Sequence, residues 1–238
     1  MLYDIHSHIL PNIDDGAAGL EETECMLKTA MEDGIRVIVA TPHYLCGMEK
    51  HQEDVKNTYE MVRSMWKELS ELNEMYLGSE LFYGENLLSD LELGKAGTMN
   101  GTRYILVEFP TYVEFSYLRR SMQELLYAGY MPILAHTERY QCMRNLERVL
   151  EVTELGSYIQ INGSALLGNQ GLPVKMFAKK LLKHNLIHFI GTDAHDNKER
   201  SPKMKECEAY IKKKAGEERM RQILVEHPEK MLRGEKLE

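Results

Sequence analysis

The sequence lacks the features by which membrane-spanning and exported proteins are usually identified. No apolar run reaches the roughly 18 to 20 residues needed to cross a bilayer. The first segment, MLYDIHSHILPNIDDG, has neither the basic start nor the apolar stretch of a secretory signal peptide. We therefore expect a cytoplasmic protein without membrane insertion.

Cysteine pairs and an excess of basic charge are also missing. The four cysteines lie far apart and form no CxxC pair, which favours incidental thiols over a disulfide framework. Acidic residues outnumber basic ones by 37 to 29, so the composition does not favour nucleic acid as a partner. Because there is no repeat, no low-complexity stretch and no Pro/Gly/Ser linker, we expect residues 1–238 to form a single domain.

The pattern that is present is an alternation of short apolar runs with longer amphipathic segments. Such an alternation predicts βα units around a parallel sheet, and therefore an α/β fold. Seven apolar runs predict strands over 2–6, 36–41, 75–80, 104–109, 132–136, 158–162 and 187–192. Helical spacing of apolar residues predicts helices over 21–33, 52–73, 116–128, 144–155, 173–184, 203–215 and 217–233.

Side chains that can bind metals end or follow nearly every predicted strand. In parallel barrels the C-terminal ends of the strands share one rim, where active sites are built. Nine residues at such positions are candidate metal ligands: His6, His8, Asp15, His43, Glu80, Glu108, His136, Asp193 and His195. Nine donors are too many for one ion, so the set predicts two or three divalent ions that activate water and hold a phosphoryl group. The absence of thiolates favours a hydrolytic site that accepts Mn, Fe, Zn or Co.

Two pairs of candidate ligands have the spacing of residues on one strand face. His6 and His8 are two residues apart, so an extended backbone presents both imidazoles on the same side. Asp193 and His195 repeat this spacing after the last predicted strand. Because the first and last strands of a closed barrel are neighbours, we expect these two pairs to meet.

Other candidates have competing structural interpretations. Asp15 lies in an Asp-Asp-Gly loop, in which Asp14 is expected to be the turn residue. Glu80 and Glu108 close apolar strands, and a buried carboxylate needs cations or hydrogen-bond donors around it. His136 follows an apolar run and could instead be a hydrogen-bonded core histidine. Four histidines lie elsewhere and are not expected to bind metal: His51, His184, His188 and His227.

Two arginines and one cysteine bear on the reaction type. Arg139 follows the fifth predicted strand and Arg200 the seventh. At these positions each guanidinium group could bind two phosphate oxygens at once. Cys142 and Arg148 match the C-x5-R spacing of cysteine phosphatases. The residues between them include bulky apolar side chains and no glycine, which disfavours a phosphate-cradling loop. We therefore do not expect a covalent phosphocysteine.

Seven motifs, spread over the whole chain, resemble one known family. They are, in order, DIHSHILPNIDDG, ATPHY, GSELFY, LVEFP, AHTERY, QINGSAL and GTDAH. The chain is similar to the PHP (polymerase and histidinol phosphatase) superfamily and, within it, to bacterial capsular-polysaccharide tyrosine-protein phosphatases of the CpsB/YwqE type. This resemblance implies a distorted seven-stranded (β/α)7 TIM-like barrel with a trinuclear, commonly manganese-containing site. It implies the nine ligands named above, with Arg139 and Arg200 at the phosphate and Asp193 and His195 among the catalytic residues.

The same resemblance implies a substrate, but other substrates and functions remain open. Relatives of this type remove phosphate from tyrosines in the tail of a bacterial tyrosine autokinase that controls exopolysaccharide synthesis. The first alternative is a PHP-type phosphoesterase acting on histidinol phosphate or another small phosphorylated metabolite. An amidohydrolase-type barrel usually carries a carbamylated lysine after the fourth strand, where this chain has Glu108. A purely regulatory barrel that binds a kinase is disfavoured, because all nine candidate ligands are present.

Overall fold

Parallel strands alternate with helices in the computed structural model, which describes residues 1–47 and 52–237. Within these residues the strands are β1 Leu2–Ser7, β2 Ile35–Ala40, β3 His43–Tyr44, β4 Glu74–Leu77, β5 Glu80–Phe82, β6 Tyr104–Glu108, β7 Met131–Leu134, β8 Tyr158–Asn162 and β9 Phe189–Gly191. The α-helices are α1 Leu20–Glu32, α2 Gln52–Leu69, α3 Leu87–Glu92, α4 Phe115–Tyr127, α5 Leu146–Glu154, α6 Gly163–Leu167, α7 Leu172–Lys183, α8 Lys205–Ala215, α9 Glu217–Arg221 and α10 His227–Arg233. The expected α/β alternation is confirmed.

The described strands form two parallel sheets. One has the order β1-β2-β4 and the other the order β3-β5-β6-β7-β8-β9. All the pairings within them are parallel, as expected for strands joined by helical crossovers. The curled parallel sheet is therefore present, but a closed barrel of seven unbroken strands is not confirmed.

Two interruptions account for the difference between seven expected strands and nine observed ones. β3 follows β2 after residues 41–42, where Pro42 has no N–H to continue the ladder. β5 follows β4 after residues 78–79, and a Cβ on Gly78 would lie 2.7 Å from Met99 Sδ. Glu80 was expected to end the third strand, but it is the first residue of β5. Its N–H still donates to the Pro42 carbonyl at 3.0 Å, so neighbouring strands stay connected across both interruptions.

The first and last strands approach each other at their C-terminal ends. Ser7 and Ala194 form an isolated parallel bridge. The Asp193 N–H donates to the His6 carbonyl at 2.8 Å, and the His8 N–H donates to the Ala194 carbonyl at 2.9 Å. The two ligand pairs therefore meet, as their positions on the first and last strands predicted.

The helices differ from expectation where they are short or irregular. α3 and α6 have six and five residues, too few to show a helical period in the sequence. The tail was expected to be one helix over 217–233, but a π-helical segment, Gln222–Glu226, lies between α9 and α10. No helix within 1–47 and 52–237 has the length and apolarity needed to cross a bilayer.

One apolar cluster fills the inner side of the curled sheet. It takes alternating residues from β1, β2 and β6, such as Tyr3 with Ile5 and Val37 with Val39, together with residues of β7, β8 and β9. Because alternate residues of a strand share one face, this face is the inside of the sheet. Met231 and Leu232 of α10 belong to the same cluster, so the tail packs against the inner core.

Candidate metal centre

The nine candidate ligands lie together, most of them at or after the C-terminal end of a strand, whereas His43 and Glu80 open the short strands β3 and β5. Eight of them form three groups, and within each group the donor atoms all lie within 4.8 Å of one another. The groups are His8, Asp15, His43 and His195; His6, His8 and Asp193; and His43, Glu80 and Glu108. His136 is outside these groups, but its Nε2 lies 2.7 Å from Glu80 Oε1. We call the nine residues the ligand cluster.

The buried carboxylate of Glu80 lies at the centre of the ligand cluster. Its Oε2 is 3.2 Å from His6 Nε2, 3.1 Å from His8 Nε2 and 3.2 Å from His43 Nδ1. The Nε2 atoms of His6 and His8 are themselves 3.2 Å apart. Metal–ligand bonds of about 2.0–2.2 Å put neighbouring donors about 3.0–3.6 Å apart. The spacing of these donors therefore fits a shared divalent cation.

Backbone strain marks two members of the ligand cluster. Among the described non-glycine residues, five have a left-handed φ, and three of these are asparagines outside the ligand cluster. The other two are His136, at φ 30°, and Asp193, at φ 54°. Such strain costs about 1–3 kcal/mol per residue and is typical of functional sites. His136 Nδ1 is also buried without a hydrogen-bond partner, so the donor chemistry here fits a cation site better than a packed core.

An irregularity in β1 turns its histidines toward the cluster. Tyr3 and Ile5 belong to the inner apolar core, so strict alternation would turn His6 and His8 outward. The pairing of β1 with β2 shifts register between Asp4 and Ser7. A bulge of this kind redirects the following side chains. The sequence predicted that both imidazoles share a face, but not that a bulge selects which face.

Asp14 has a second role that the sequence analysis missed. The expected turn is present, since the Gly16 N–H donates to Asp14 Oδ1 at 2.9 Å. Asp14 Oδ2 also accepts from His8 Nδ1 at 2.7 Å and from the His43 N–H at 3.0 Å. A carboxylate behind an imidazole fixes its tautomer and leaves Nε2 free for a metal. A Cβ on Gly16 would lie 2.1 Å from the His8 carbonyl oxygen, so this loop needs glycine there.

Both arginines singled out in the sequence reach the ligand cluster. Arg139 donates to Asp193 Oδ2, and Arg200 donates to Asp193 Oδ1 at 2.9 Å. The arginine side chains are 31% and 39% exposed, whereas Asp193 is buried. Two guanidinium groups thus lie between the ligand cluster and solvent, where an incoming anion would meet them.

Cys142 does not form the phosphate loop that its spacing from Arg148 allows. It lies in a 3-10 turn, Gln141–Met143, and Arg148 Nη1 donates to its backbone carbonyl at 2.9 Å. Burial raises the pKa of the Cys142 thiol, which disfavours the thiolate needed by a nucleophile. All four cysteines are free thiols.

His8 and His136 hold protons in the ligand cluster, whereas the carboxyl group of Glu80 is ionised. Burial alone would lower the pKa of His8, but hydrogen bonds to Asp14 and Glu80 raise it to about 10. Burial likewise opposes charge on His136, yet Glu108 and Glu80 raise its pKa to about 9. The pKa of Glu80 is held well below its usual value by the surrounding histidines despite burial. A cation binding here competes with these imidazole protons, so its affinity should fall as the pH falls.

The remaining histidines lie away from the ligand cluster. His227 Nδ1 donates to the His188 carbonyl at 2.8 Å, and His188 Nδ1 accepts from the Ile159 N–H at 3.1 Å, at the N-terminal side of β9. His184 follows α7 at the surface. None of the three is in a group that could hold a metal among the described residues. His51 lies outside the described residues.

A sequence profile described as "Capsular polysaccharide synthesis, CpsB/CapC" matches residues 2–233. The chain belongs to the CpsB/CapC family. Tyrosine-protein phosphatase CpsB of Streptococcus agalactiae serotype V is 33% identical over 241 residues, which cover 98% of this chain and 99% of that protein. Tyrosine-protein phosphatase YwqE of Bacillus subtilis (strain 168) is 34% identical over 242 residues, which cover 98% of this chain and 92% of that protein.

The fold of this chain also matches a solved structure of this family. It comes from work on YwqE from Bacillus subtilis and CpsB from Streptococcus pneumoniae, described as unique metal-dependent tyrosine phosphatases. It matches this CpsB/CapC chain with a TM-score of 0.91 and 32% identity, covering 100% of this chain and 96% of the other. That neighbour is metal-dependent, and this chain has His/Asp/Glu groups that could hold metals.

Proposed function

We propose that this CpsB/CapC protein is a metal-dependent protein-tyrosine phosphatase. Its substrate would be phosphotyrosine in the tail of a bacterial tyrosine autokinase that regulates exopolysaccharide or capsule synthesis. The ligand cluster would hold two or three divalent ions, with Mn as the first candidate and Fe, Zn, Co or Mg as others. We further propose that residues 1–238 form one cytoplasmic PHP-type domain, in which β2–β3 and β4–β5 count as interrupted strands of a seven-stranded barrel.

The observation that carries this proposal is the double arginine contact on one buried candidate ligand. Arg139 and Arg200 donate to the two oxygens of Asp193, so both guanidinium groups are held at the edge of the ligand cluster. Cations beside a site for divalent ions suit a doubly charged phosphoryl group, which arginine binds through paired hydrogen bonds. A neutral C–N substrate would not call for this arrangement.

Each part of the site has a definable task in phosphate release. Divalent ions, when bound, acidify water and neutralise phosphoryl oxygens. Arg139 and Arg200 would orient the phosphoryl group and stabilise the charge that it carries in the transition state. Asp193 would fix both guanidinium groups. Burial and the nearby charge of His8 lower the pKa of His195 to about 4, so this imidazole is neutral near pH 7 and its Nε2 can act as a ligand.

The openness of the site favours a protein substrate over a small metabolite. Asp15, at the outer edge of the ligand cluster, is 69% exposed, and Arg200 is also accessible. A cavity of about 390 Å³ adjoins His43, with Val55 and Tyr59 of α2 and Leu77 of β4 among its lining residues. A phosphotyrosine carried on a chain could reach the cluster from this side, with neighbouring residues lying along the surface.

The test is a comparison of substrates on the Mn²⁺-loaded protein. Phosphate release from a phosphotyrosine peptide should exceed release from histidinol phosphate at equal concentration, and a chelator should abolish both. Faster turnover of histidinol phosphate would favour the small-metabolite alternative. Binding of a phosphorylated kinase tail without phosphate release would indicate a regulatory module and overturn the enzyme assignment.

A further inference from the structure

β8 contributes no candidate ligand, yet its polar side chains face the ligand cluster. Its residues Tyr158–Asn162 alternate regularly, and Tyr158 belongs to the inner apolar core. Gln160 and Asn162 therefore continue the same inner face toward the rim. Both are fully buried, as is unusual for side-chain amides. Neither the ligand set nor the arginine contacts explains why two amides occupy these positions.

Gln160 contacts two ligands that come from different strands. Its Oε1 accepts from the His136 N–H at 2.7 Å and from His6 Nδ1 at 3.3 Å. Its Nε2 donates to Asn162 Oδ1 at 3.0 Å. The first contact holds the backbone of His136, one of the two members of the ligand cluster with a left-handed φ. The second leaves His6 Nε2 as the free donor atom, facing Glu80.

Asn162 extends the same network to a third ligand. Its Nδ2 donates to Asp193 Oδ2 at 2.8 Å, and its backbone N–H donates to Glu138 Oε1 at 3.2 Å. The orientation of both amides follows from one fixed group. The His136 N–H can only donate, so the nearby Gln160 atom must be the oxygen, and Asn162 must then turn its NH₂ toward Asp193.

We propose that Gln160 and Asn162 are positioning residues for the metal centre. This inference rests on the proposed function. It assigns the two uncharged amides to a layer of residues behind three of the ligands. The pair of amides accepts from His6 and His136 at one end and donates to Asp193 at the other without adding charge, which a pair of carboxylates cannot do. One strand thereby sets the orientation of His6, His136 and Asp193, which belong to three other parts of the chain. Residues behind metal ligands typically change metal affinity about 10- to 100-fold when replaced.

A glycine on the adjacent strand leaves the space for this network. β8 pairs with β9, and Asn162 is the register partner of Gly191. A Cβ on Gly191 would lie 2.6 Å from His6 Cβ and 3.1 Å from Gln160 Nε2. A larger residue would therefore push His6 and Gln160 apart. The absence of a side chain at this position is explained by the contact between a ligand and its positioning amide.

The test is Mn²⁺ binding to the metal-free full-length protein, measured by calorimetric titration. Gln160→Met and Asn162→Leu keep the approximate size of each side chain and remove its hydrogen bonds. Each should weaken Mn²⁺ binding about 10- to 100-fold. Gln160→Glu keeps the acceptor for His6 and His136 but loses the donor to Asn162, so it should restore only part of the affinity lost in Gln160→Met.

A buried amide far from the site provides the matched control. Asn73 is buried and donates through Nδ2 to the Trp66 carbonyl at 2.9 Å. Asn73→Leu should lower the unfolding midpoint without weakening Mn²⁺ binding. The inference is overturned if Gln160→Met and Asn162→Leu bind Mn²⁺ as the parent does, or if Asn73→Leu weakens binding equally. A parent that binds no divalent ion would instead refute the metal centre itself, so the two failures are distinguishable.

Discussion

Arg200 donates a hydrogen bond from its guanidinium to Asp193 Oδ1 at 2.9 Å, seven residues away in the chain. Arg139 occupies the other oxygen of the same carboxylate. Asp193 is nearly inaccessible to solvent, and despite that burial the charges of His6 and Arg139 hold the pKa of its carboxyl well below the usual range. One ionised side chain thus connects the ligand cluster to both candidate phosphate-binding cations.

We expect that replacing either arginine with glutamine slows turnover more than it weakens metal binding. Arg139→Gln and Arg200→Gln should each lower kcat/KM for a phosphotyrosine peptide by about 100-fold or more, the usual effect of losing a donor to a charged transition state. Arg63 is an exposed control on α2, where it pairs with Glu60. Arg63→Gln should leave turnover unchanged. If both site variants kept parental kcat/KM, the phosphate-binding role would be wrong.

A second prediction separates the metal site from cysteine chemistry. Cys142→Ser should keep parental turnover, because burial raises the pKa of this thiol and Arg148 binds its backbone carbonyl instead of a phosphate. The measurement is steady-state hydrolysis of a phosphotyrosine peptide by the Mn²⁺-loaded protein. Loss of turnover in a Cys142→Ser protein that still binds Mn²⁺ would point to a phosphocysteine intermediate and against the metal mechanism.

Much of this site could be predicted from the sequence, because its ligands follow strands. His6 with His8, and Asp193 with His195, come at the ends of apolar runs, and strand ends of parallel sheets converge. Their meeting is confirmed by the backbone hydrogen bond from Asp193 to His6. The structure also brings Arg200 to the site, although its loop has no periodic pattern from which that contact could be derived.

What the sequence could not show depends on contacts between distant segments. Asp14 is an ordinary turn residue by local pattern, and only the folded loop places its second oxygen behind His8. Gln160 and Asn162 look like breaks in an apolar strand, because their partners come from other strands. The third expected strand is interrupted at residues 78–79, where Met99 Sδ leaves no room for a Cβ on Gly78, and this contact with a distant segment is not encoded in any local period.

Metal binding should stabilise the folded protein through the ligand cluster. Mn²⁺ at about 100 times its Kd should add about 2.7 kcal/mol to the free energy of unfolding, because only the folded chain gathers the ligands. Glu80 contacts four of the ligand histidines, so Glu80→Gln should abolish this gain and the phosphatase activity together. Glu24→Gln, at an exposed position of α1, is the control and should keep both. If Mn²⁺ raised the free energy of unfolding of the Glu80→Gln protein as much as that of the parent, Glu80 would not be the central ligand of the cluster.

The histidine at the opposite end of the sheet should make stability depend on pH. Burial, together with the charges of His227 and Arg219, lowers the pKa of His188 from its ordinary value near 6.5 to about 3. Between these values the unfolded chain binds a proton that the folded chain does not, so stability is complete above pH 6.5 and falls as the pH falls toward 3.

The variant that tests this is His188→Asn, whose side-chain oxygen can still accept from the Ile159 N–H. In urea unfolding of the metal-free protein, the parent should lose about 2–3 kcal/mol more than this variant between pH 7.5 and pH 4.5. His184→Asn, at an exposed site after α7, should behave like the parent. Parallel pH profiles for the parent and His188→Asn would mean that His188 accepts its proton in the folded state as readily as in the unfolded chain.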